Sequence, residues 1–540
     1  MSFLQCYTLR VSTLSPVNMG CDETYEPTNY VIDGDALYEF NPQEALEALS
    51  DPERKNLLRI VDGRPNEELI KKVQAFFYQQ RENLVETAGH SFPVGPGVSK
   101  LYEARIGKTA QREERGRQVI NKLEIERTAY NPMDRLPIFP GSGIKGAIRT
   151  ALLDSVNEGR RTERGERNRD LQQRLFEYDM RDLHKDPMRL VQVGDARWTD
   201  ETGLPGSEIR FAVNRKRHPV EKNGRLVQSQ AEQKGLYQIL ECVPAFYRRA
   251  LSTTLTLQKP NAAEPSPGKL PSKELRWDVS DIAVACNRFY RDLFIKESSL
   301  LEKRGYVTPG WAESVRKALP GKDDDHAFLL RIGRHSGAEA VTLNGVRSIR
   351  IMQGPGKQAK WESAPKTVWL AASSQGSEAG MLPFGWVLVE IDPQHESPIS
   401  EAEEVVQLRE WAESQRSRKA GYEKQRAERA RAAEEAARQR REEEQREKER
   451  LEQLARLPPV EREIEEFLEG FAGDNPAAEL YNRLKSGTWE SEEDRRIVAR
   501  RIKSLWESEK KWIPDFSGSN KKKKQQQKRC LEVREFLDES

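Results

Sequence analysis

Between Ala412 and Leu451 the only non-polar side chain larger than alanine is Tyr422, and Glu, Arg, Lys, Gln and Ala make up most of the rest. A stretch with so little to bury cannot cross a hydrophobic core, so a chain of 540 residues is divided here. Acid-first pairs four residues apart, among them Glu434/Arg438, Glu442/Arg446, Glu444/Lys448 and Glu452/Arg456, support a helix over 403–456. No a/d apolar seam accompanies them, which argues against a coiled coil and for a single solvated helix, up to about 80 Å long. Pro458 and Pro459 end it.

Residues 459–516 then show amphipathic helical spacing, with Ile464, Phe467, Leu468, Leu480, Leu484, Ile497, Ile502 and Trp506 as the expected core of a small helical module. Residues 517–540 include "NKKKKQQQKR" and read as a basic, disordered tail, of a kind that either solubilises a protein or contacts RNA.

The formal net charge is only +2, but it is the difference between 89 basic and 87 acidic residues, so local separation of charge matters more than the total. No apolar run approaches the roughly 18 residues of a membrane span, and the first residues lack the zones of a signal peptide, which predicts a cytoplasmic protein without a membrane partner. Cys6, Cys21, Cys242, Cys286 and Cys530 form no C-x-x-C pair. Neither a disulfide framework nor a zinc site is expected, and no cofactor or other metal is suggested.

Residues 1–398 carry the globular part. "FLQCYTLRVSTL" alternates as a strand, "TNYVIDGDALYEF" reads as strand, glycine turn and strand, and "EELIKKVQAFFYQQRENLVETA" has helical spacing. "HSFPVGPGVSK" reads as a loop, and "KLEIERTAY", "RLVQVGDARW", "GLYQILECVPAF", "AFLLRIG", "TVWLAAS" and "LPFGWVLVEI" as strands. A helix is expected over "VSDIAVACNRFYRDLFIKESSLLEK". Strands and helices mix without regular βαβα alternation, so the fold class is α+β.

Gly141-Ser-Gly-Ile-Lys-Gly146 spells the G-x-G-x-x-G of dinucleotide sites, but its surroundings refuse that reading. Pro137 and Pro140 interrupt the approaching strand, and the region about 20 residues on, "RTERGERNRD", cannot be a buried strand ending in a ribose-binding acid. A P-loop fails as well, since Ala147 and Ile148 stand where Lys and Ser or Thr are needed. The stretch does work as a helix start. Ile144, Ala147, Ile148, Ala151 and Leu152 form an apolar stripe, Lys145 and Arg149 project one turn apart, and Gly141, Ser142 and Gly143 would leave free N–H groups suited to a phosphate.

At this point the chain resembles the RAMP subunits of type III CRISPR effector complexes, and more narrowly their type III-A (Csm) members. Phe139-Pro-Gly-Ser-Gly-Ile-Lys-Gly-Ala-Ile-Arg-Thr-Ala151 follows that family's I-P-G-S-S-I-K-G-A-I-R-T-A segment, with Gly143 for the second Ser. "TLSPVNMG" resembles its first turn with Asn18 in place of the usual His, "LVQVGDARW" its L-Q-V-S-D segment, "LRIGRHSG" its glycine-rich loop and "LPFGWVLVEI" its last strand. The five segments come in the family's order.

The resemblance implies a ferredoxin-like (RNA-recognition-type) core and a subunit that caps the backbone filament at the 3′ end of the guide RNA. Implied partners are CRISPR guide RNA and target RNA, backbone RAMP subunits, small helical subunits and recruited host nucleases. By the same analogy Gly141, Ser142, Gly143, Lys145 and Arg149 contact guide phosphates, with Arg127 and Arg334 as further candidates. The basic segment 104–118 would be a thumb-like hairpin, or else a plain solvated loop.

Backbone RAMP subunits cut target RNA with an Asp after the first strand, and related processing nucleases use an N-terminal His. Asp33 and Asp35 flank Gly34, which reads as turn chemistry, and the first histidine of the chain is His90. His335 has no evident catalytic partner in the sequence. No catalytic residue is therefore expected, the alternative being a RAMP endoribonuclease that uses His335, or Asp33 and Asp35, to process guide RNA or cut target RNA.

Overall fold

The computed structural model describes residues 3–537 except 27, 64–66, 107–110, 113–117, 120–122, 164, 228–235, 261–268, 353–355 and 357. The chain divides into two compact units, Met1–Glu423 and Lys424–Ser540.

The first unit is mixed α+β. Its main sheet runs Ala327–Arg331, Trp386–Ile391, Leu4–Thr13, Leu251–Gln258, Ala196–Trp198, Ile138–Phe139, with Val191–Val193 also paired to Leu251–Gln258. Every neighbouring pair is antiparallel. Leu4–Thr13 lies between its partners in exact alternation, so Leu9 faces Thr253 on one side and Ile391 on the other.

Two helices, Gly141–Asn157 and Val279–Lys303, pack on each other and on this sheet. The first buries Ile144, Ala147, Ile148, Ala151 and Leu152, the stripe read from its 3.6-residue period. The second buries Ile282, Cys286, Phe289, Tyr290 and Phe294. Tyr290 donates its hydroxyl to Ala147 O at 3.1 Å, and the buried Asn287 amide donates to Ala327 O at 2.8 Å and accepts from Leu329 N–H at 3.1 Å. The Tyr290 hydroxyl and the Asn287 amide are thereby satisfied where helix meets helix and strand.

A second sheet runs Gly20–Tyr25, Ile125–Thr128, Tyr237–Cys242, Glu208–Lys216, Thr367–Ala372, Leu382–Pro383, antiparallel except for the pair Ile125–Thr128 with Tyr237–Cys242. A third has Tyr30–Asp33, Ala36–Glu39 and His90–Pro93, and a separate core of Val31, Tyr38, Phe40, Phe76, Phe77 and Leu84 forms between it and the helices after it. Residues 90–100 are not the loop that their Pro and Gly content predicts: His90–Pro93 is a strand, and Pro96–Arg105 a helix with proline in its first turn. Of the segment 104–118, residues 107–110 and 113–117 lie outside the described residues, while Gln111–Arg112 pairs with Gln118–Val119.

The long helix spans Glu403–Arg456, and the boundary between the units falls within it. Its portion in the first unit is docked rather than solvated. Trp411 and Tyr422 pack against the second core, Arg416 donates to Gly203 O at 2.6 Å, and Lys419 to Gly89 O at 2.9 Å. From Glu423 to Lys448 every side chain is exposed.

In the second unit, helices Pro459–Gly470, Pro476–Lys485 and Glu492–Ser508 enclose Ile464, Leu480, Leu484, Ile502 and Trp506. The tail read as disordered is instead a helix, Lys521–Phe536, capped by Asn520 and seated through the fully buried Cys530 and Val533. Its lysine run hides an apolar spacing of Cys530, Val533, Phe536 and Leu537 that is enough to dock one face.

Candidate nucleic-acid interface

Three segments far apart in the chain meet at one residue. The turn after the first strand carries Asn18 and Met19. Asn18 is almost fully buried: its side-chain amide nitrogen donates to Glu241 O at 2.7 Å and to Arg127 O at 3.3 Å, and its backbone carbonyl accepts Arg334 N–H at 2.8 Å. Met19 N–H donates to Thr128 Oγ1 at 2.9 Å. On one side of Met19 stands Gly143, where a Cβ would lie 2.7 Å from the methionine methyl; on the other stands Gly333, where a Cβ would lie 3.1 Å from its sulfur and 2.3 Å from Asn18 O. The first turn, the glycine-rich helix start and the glycine loop thus form one surface; at Gly333 the backbone of Asn18 passes too close for a side chain, whereas at Gly143 only the Met19 methyl would have to move.

The helix start is differently wired from the sequence expectation. Gly141 N–H is not free: it donates to Asp195 Oδ1 at 2.7 Å, and a Cβ on Gly141 would lie 2.3 Å from Val193 O. Gly143 N–H donates to Pro140 O at 2.9 Å. An aspartate two residues beyond the strand at 191–193 therefore occupies the positive end of the helix. Ser142 is exposed, and Lys145 is half-buried with no hydrogen bond or ion pair among the described residues. Burial and the neighbouring Arg149 hold the Lys145 ammonium below the usual lysine range, against the opposing pull of Asp186.

Lys145 and Arg149 do sit one turn apart, but Arg149 has internal partners. Its guanidinium pairs with Asp186 at 3.2 Å and donates to Gln172 at 3.2 Å and to the Tyr178 hydroxyl at 3.1 Å. Arg334, at the start of the glycine loop, is partly exposed and pairs with Glu126.

Arg127 is buried in a network the sequence reading did not foresee. It pairs with Glu39 at 2.5 Å, while Arg135 pairs with Glu39 at 2.8 Å and Glu241 at 3.2 Å and donates to the Tyr25 hydroxyl at 2.7 Å. The two guanidiniums lie 4.5 and 3.9 Å from the Tyr130 ring centroid. Although burial alone would lower it, the carboxylates of Glu241 and Glu39 and the Tyr25 hydroxyl raise the Arg135 pKa. Nothing in the spacing of Glu39, Arg127, Arg135 and Glu241 announces this cluster, because it is assembled by tertiary packing from strands of two different sheets and a loop.

Asp33 and Ala36 are paired, so Gly34-Asp35 is a two-residue hairpin loop with Gly34 at φ +61. Asp33 faces Arg81 at 3.3 Å and Arg418 at 3.9 Å. His335 stacks on Trp369 with ring centroids 4.5 Å apart, and its Nε2 lies 2.8 Å from Gln238 Oε1. Burial, with Arg334 adding to it, pushes the His335 pKa down to about 4. Among the described residues no group of His, Cys, Asp and Glu is arranged to hold a metal ion, and no helix is long and apolar enough to cross a membrane.

A mixed α+β protein in which glycine-bearing turns from three parts of the chain close on one surface is the class that fold and site define. The RAMP superfamily model matches residues 10–280, and the chain belongs to that superfamily. No curated protein matches it. Among solved structures it is similar to a chain of a cryo-EM structure of a Csm–crRNA–target RNA ternary complex of a type III-A CRISPR-Cas system, with 15% identity and a TM-score of 0.43, over 71% of this chain and 99% of that one. It is also similar to the crystal structure of T. onnurineus Csm5, with 16% identity and a TM-score of 0.43, over 70% of this chain and 99% of that one.

Proposed function

We propose that the chain is a non-catalytic RNA-binding subunit of a type III-A CRISPR interference complex, in the place of the Csm subunit numbered five. In that place it closes the row of backbone RAMP subunits at the 3′ end of the guide RNA, supports guide maturation and antiviral defence in the cytoplasm, and meets guide RNA, target RNA, backbone and small helical subunits, and recruited host nucleases. The observation that carries this reading is the closure of the three family segments around Met19, with Gly143 and Gly333 on either side. Ser142, which is exposed, and Lys145, which has no ion partner among the described residues, are the groups of that helix start best placed to meet a phosphate, with Arg334, whose N–H meets Asn18 O, as a further candidate.

The main sheet supports a ferredoxin-like core. Taken as Leu4–Thr13, helix 141–157, the strands at 191–198, Leu251–Gln258, helix 279–303 and Trp386–Ile391, the chain runs β-α-β-β-α-β, and the sheet order is fourth, first, third, second strand.

Two features support a role without catalysis. Asp33 lies beside a tight turn against two arginines, which suits a fixed counter-charge. His335 is kept neutral, stacked and bonded to an amide rather than to an acid or a nucleophile, whereas a general base needs a pKa near the working pH. Purified protein incubated with guide precursor and with target RNA is expected to bind and not cut. Cleavage that disappears in His335→Ala or Asp33→Ala would replace this reading with the endoribonuclease.

A further inference from the structure

Past the glycine loop the chain forms a two-stranded hairpin, Ile349–Ile351 with Lys360–Glu362. Arg350 stands directly opposite Trp361, so the two side chains share a face, and Met352 follows two residues on. All three are exposed; Trp361 keeps 64% of its surface and Met352 69%. Trp361 has no ring contact and no hydrogen bond among the described residues. By contrast, Ile349 and Ile351 on the opposite face are half-buried, which accounts for how the hairpin is held.

A lone exposed apolar side chain needs no explanation, but here an open indole and a guanidinium share one face of a hairpin, and that pairing suits a ligand. Charge says which kind. Residues 342–362 contain Arg347, Arg350, Lys357 and Lys360 against a single acid, Glu362, which stands opposite Ile349 and pairs with Lys366 at 2.8 Å. Arg347 is engaged by its own loop, at 3.0 Å from Thr342 Oγ1 and 3.2 Å from Glu339 O, whereas Arg350 stands beside the indole. A flat π-surface flanked by a guanidinium fits an unpaired nucleobase together with its phosphate: the ring stacks on the base and the cation meets the backbone. An acidic or apolar protein surface would satisfy only one of the two groups.

We propose that the Arg350–Trp361 face of this hairpin is a stacking platform for single-stranded RNA. The proposal rests on the RNA-binding reading given above and adds a second contact to it, one made with a base rather than with phosphate alone.

The test is fluorescence anisotropy of a fluorescein-labelled single-stranded oligoadenylate with the full chain, across a salt series. Trp361→Ala is expected to weaken binding about tenfold with the salt slope unchanged, because stacking releases no counterion. Trp361→Phe should recover most of that loss. Arg350→Ala should instead flatten the slope by about 0.7, one phosphate contact on a single strand. If the wild-type chain does not hold the RNA, the RNA-binding reading itself falls. If it does, and Trp361→Ala binds as tightly as wild type, the stacking platform is overturned and the RNA-binding reading stands. A Trp361→Phe variant as weak as Trp361→Ala would also overturn it.

Discussion

Gly333 lies so close to Asn18 that a side-chain carbon on the glycine would sit 2.3 Å from the Asn18 carbonyl oxygen, and the next amide, Arg334 N–H, donates to that same oxygen at 2.8 Å. Gly333 also holds φ +77, a left-handed conformation that other residues adopt at a cost. Gly333→Ala is expected to lose about 3 kcal/mol of stability in urea denaturation, from backbone strain and the clash together. Gly146→Ala is the contrast. Its Cβ would meet nothing within 4 Å in a regular helix, so a gain of about 0.5–1 kcal/mol is expected.

Lys145 and Arg149 share a helix face but should behave differently when removed. Lys145 has no ion partner among the described residues, so Lys145→Ala should leave the melting temperature unchanged and lower the salt slope of single-stranded RNA binding by about 0.7. Arg149→Ala strands Asp186 and the Tyr178 hydroxyl in a mostly buried position and should cost about 1–2 kcal/mol of stability. Equal effects of the two substitutions on stability and on RNA binding would contradict this division.

Much of this was legible in the sequence because it rests on short-range pattern. The helix over 279–303 and the buried stripe of 144, 147, 148, 151 and 152 follow from the 3.6-residue period, and Gly34-Asp35 follows from turn chemistry. Two central strands, Leu251–Gln258 and Glu208–Lys216, are not among the elements read from sequence. In the first, Leu251, Leu255 and Leu257 face inward with Thr253, whose hydroxyl donates to Gly194 O, and the threonines blur the alternation. In the second, Arg215 is buried in a strand because its guanidinium bonds to the carbonyls of Gln375 and Ser377, a solution no local pattern can display. The same holds at the site. Asp195 was visible as part of "LVQVGDARW", but its bond to Gly141 N–H depends on a strand and a helix meeting across 54 residues.

Arg135 holds two carboxylates, Glu39 and Glu241, which its removal would leave facing each other with one guanidinium, that of Arg127, remaining on Glu39. Breaking a buried ion group by deleting one member commonly costs about 3–5 kcal/mol, so Arg135→Ala is expected to unfold the first unit or to lower its unfolding free energy by about that amount in urea denaturation. Arg135→Lys should rescue little, because the planar guanidinium spans both acids and the Tyr25 hydroxyl, and an ammonium cannot. A lysine variant of near wild-type stability would show that charge alone suffices there.

His335 should give the protein a measurable pH dependence. In the unfolded chain its imidazole titrates near 6.5, and in the folded chain burial pushes that to about 4. Between these values the unfolded state binds more protons than the folded one, so stability rises with pH. The contribution is complete above about pH 6.5 and is lost progressively as the pH falls towards 4, to a total of about 3 kcal/mol. His335→Gln keeps a polar planar group against Trp369 and beside Gln238 but cannot take up a proton. Urea denaturation of both proteins across this range is the check: the wild-type midpoint should fall more steeply with acid than that of the variant. Parallel curves would mean that the ring protonates without leaving its place, and that its neutral, stacked state contributes nothing to holding the glycine loop.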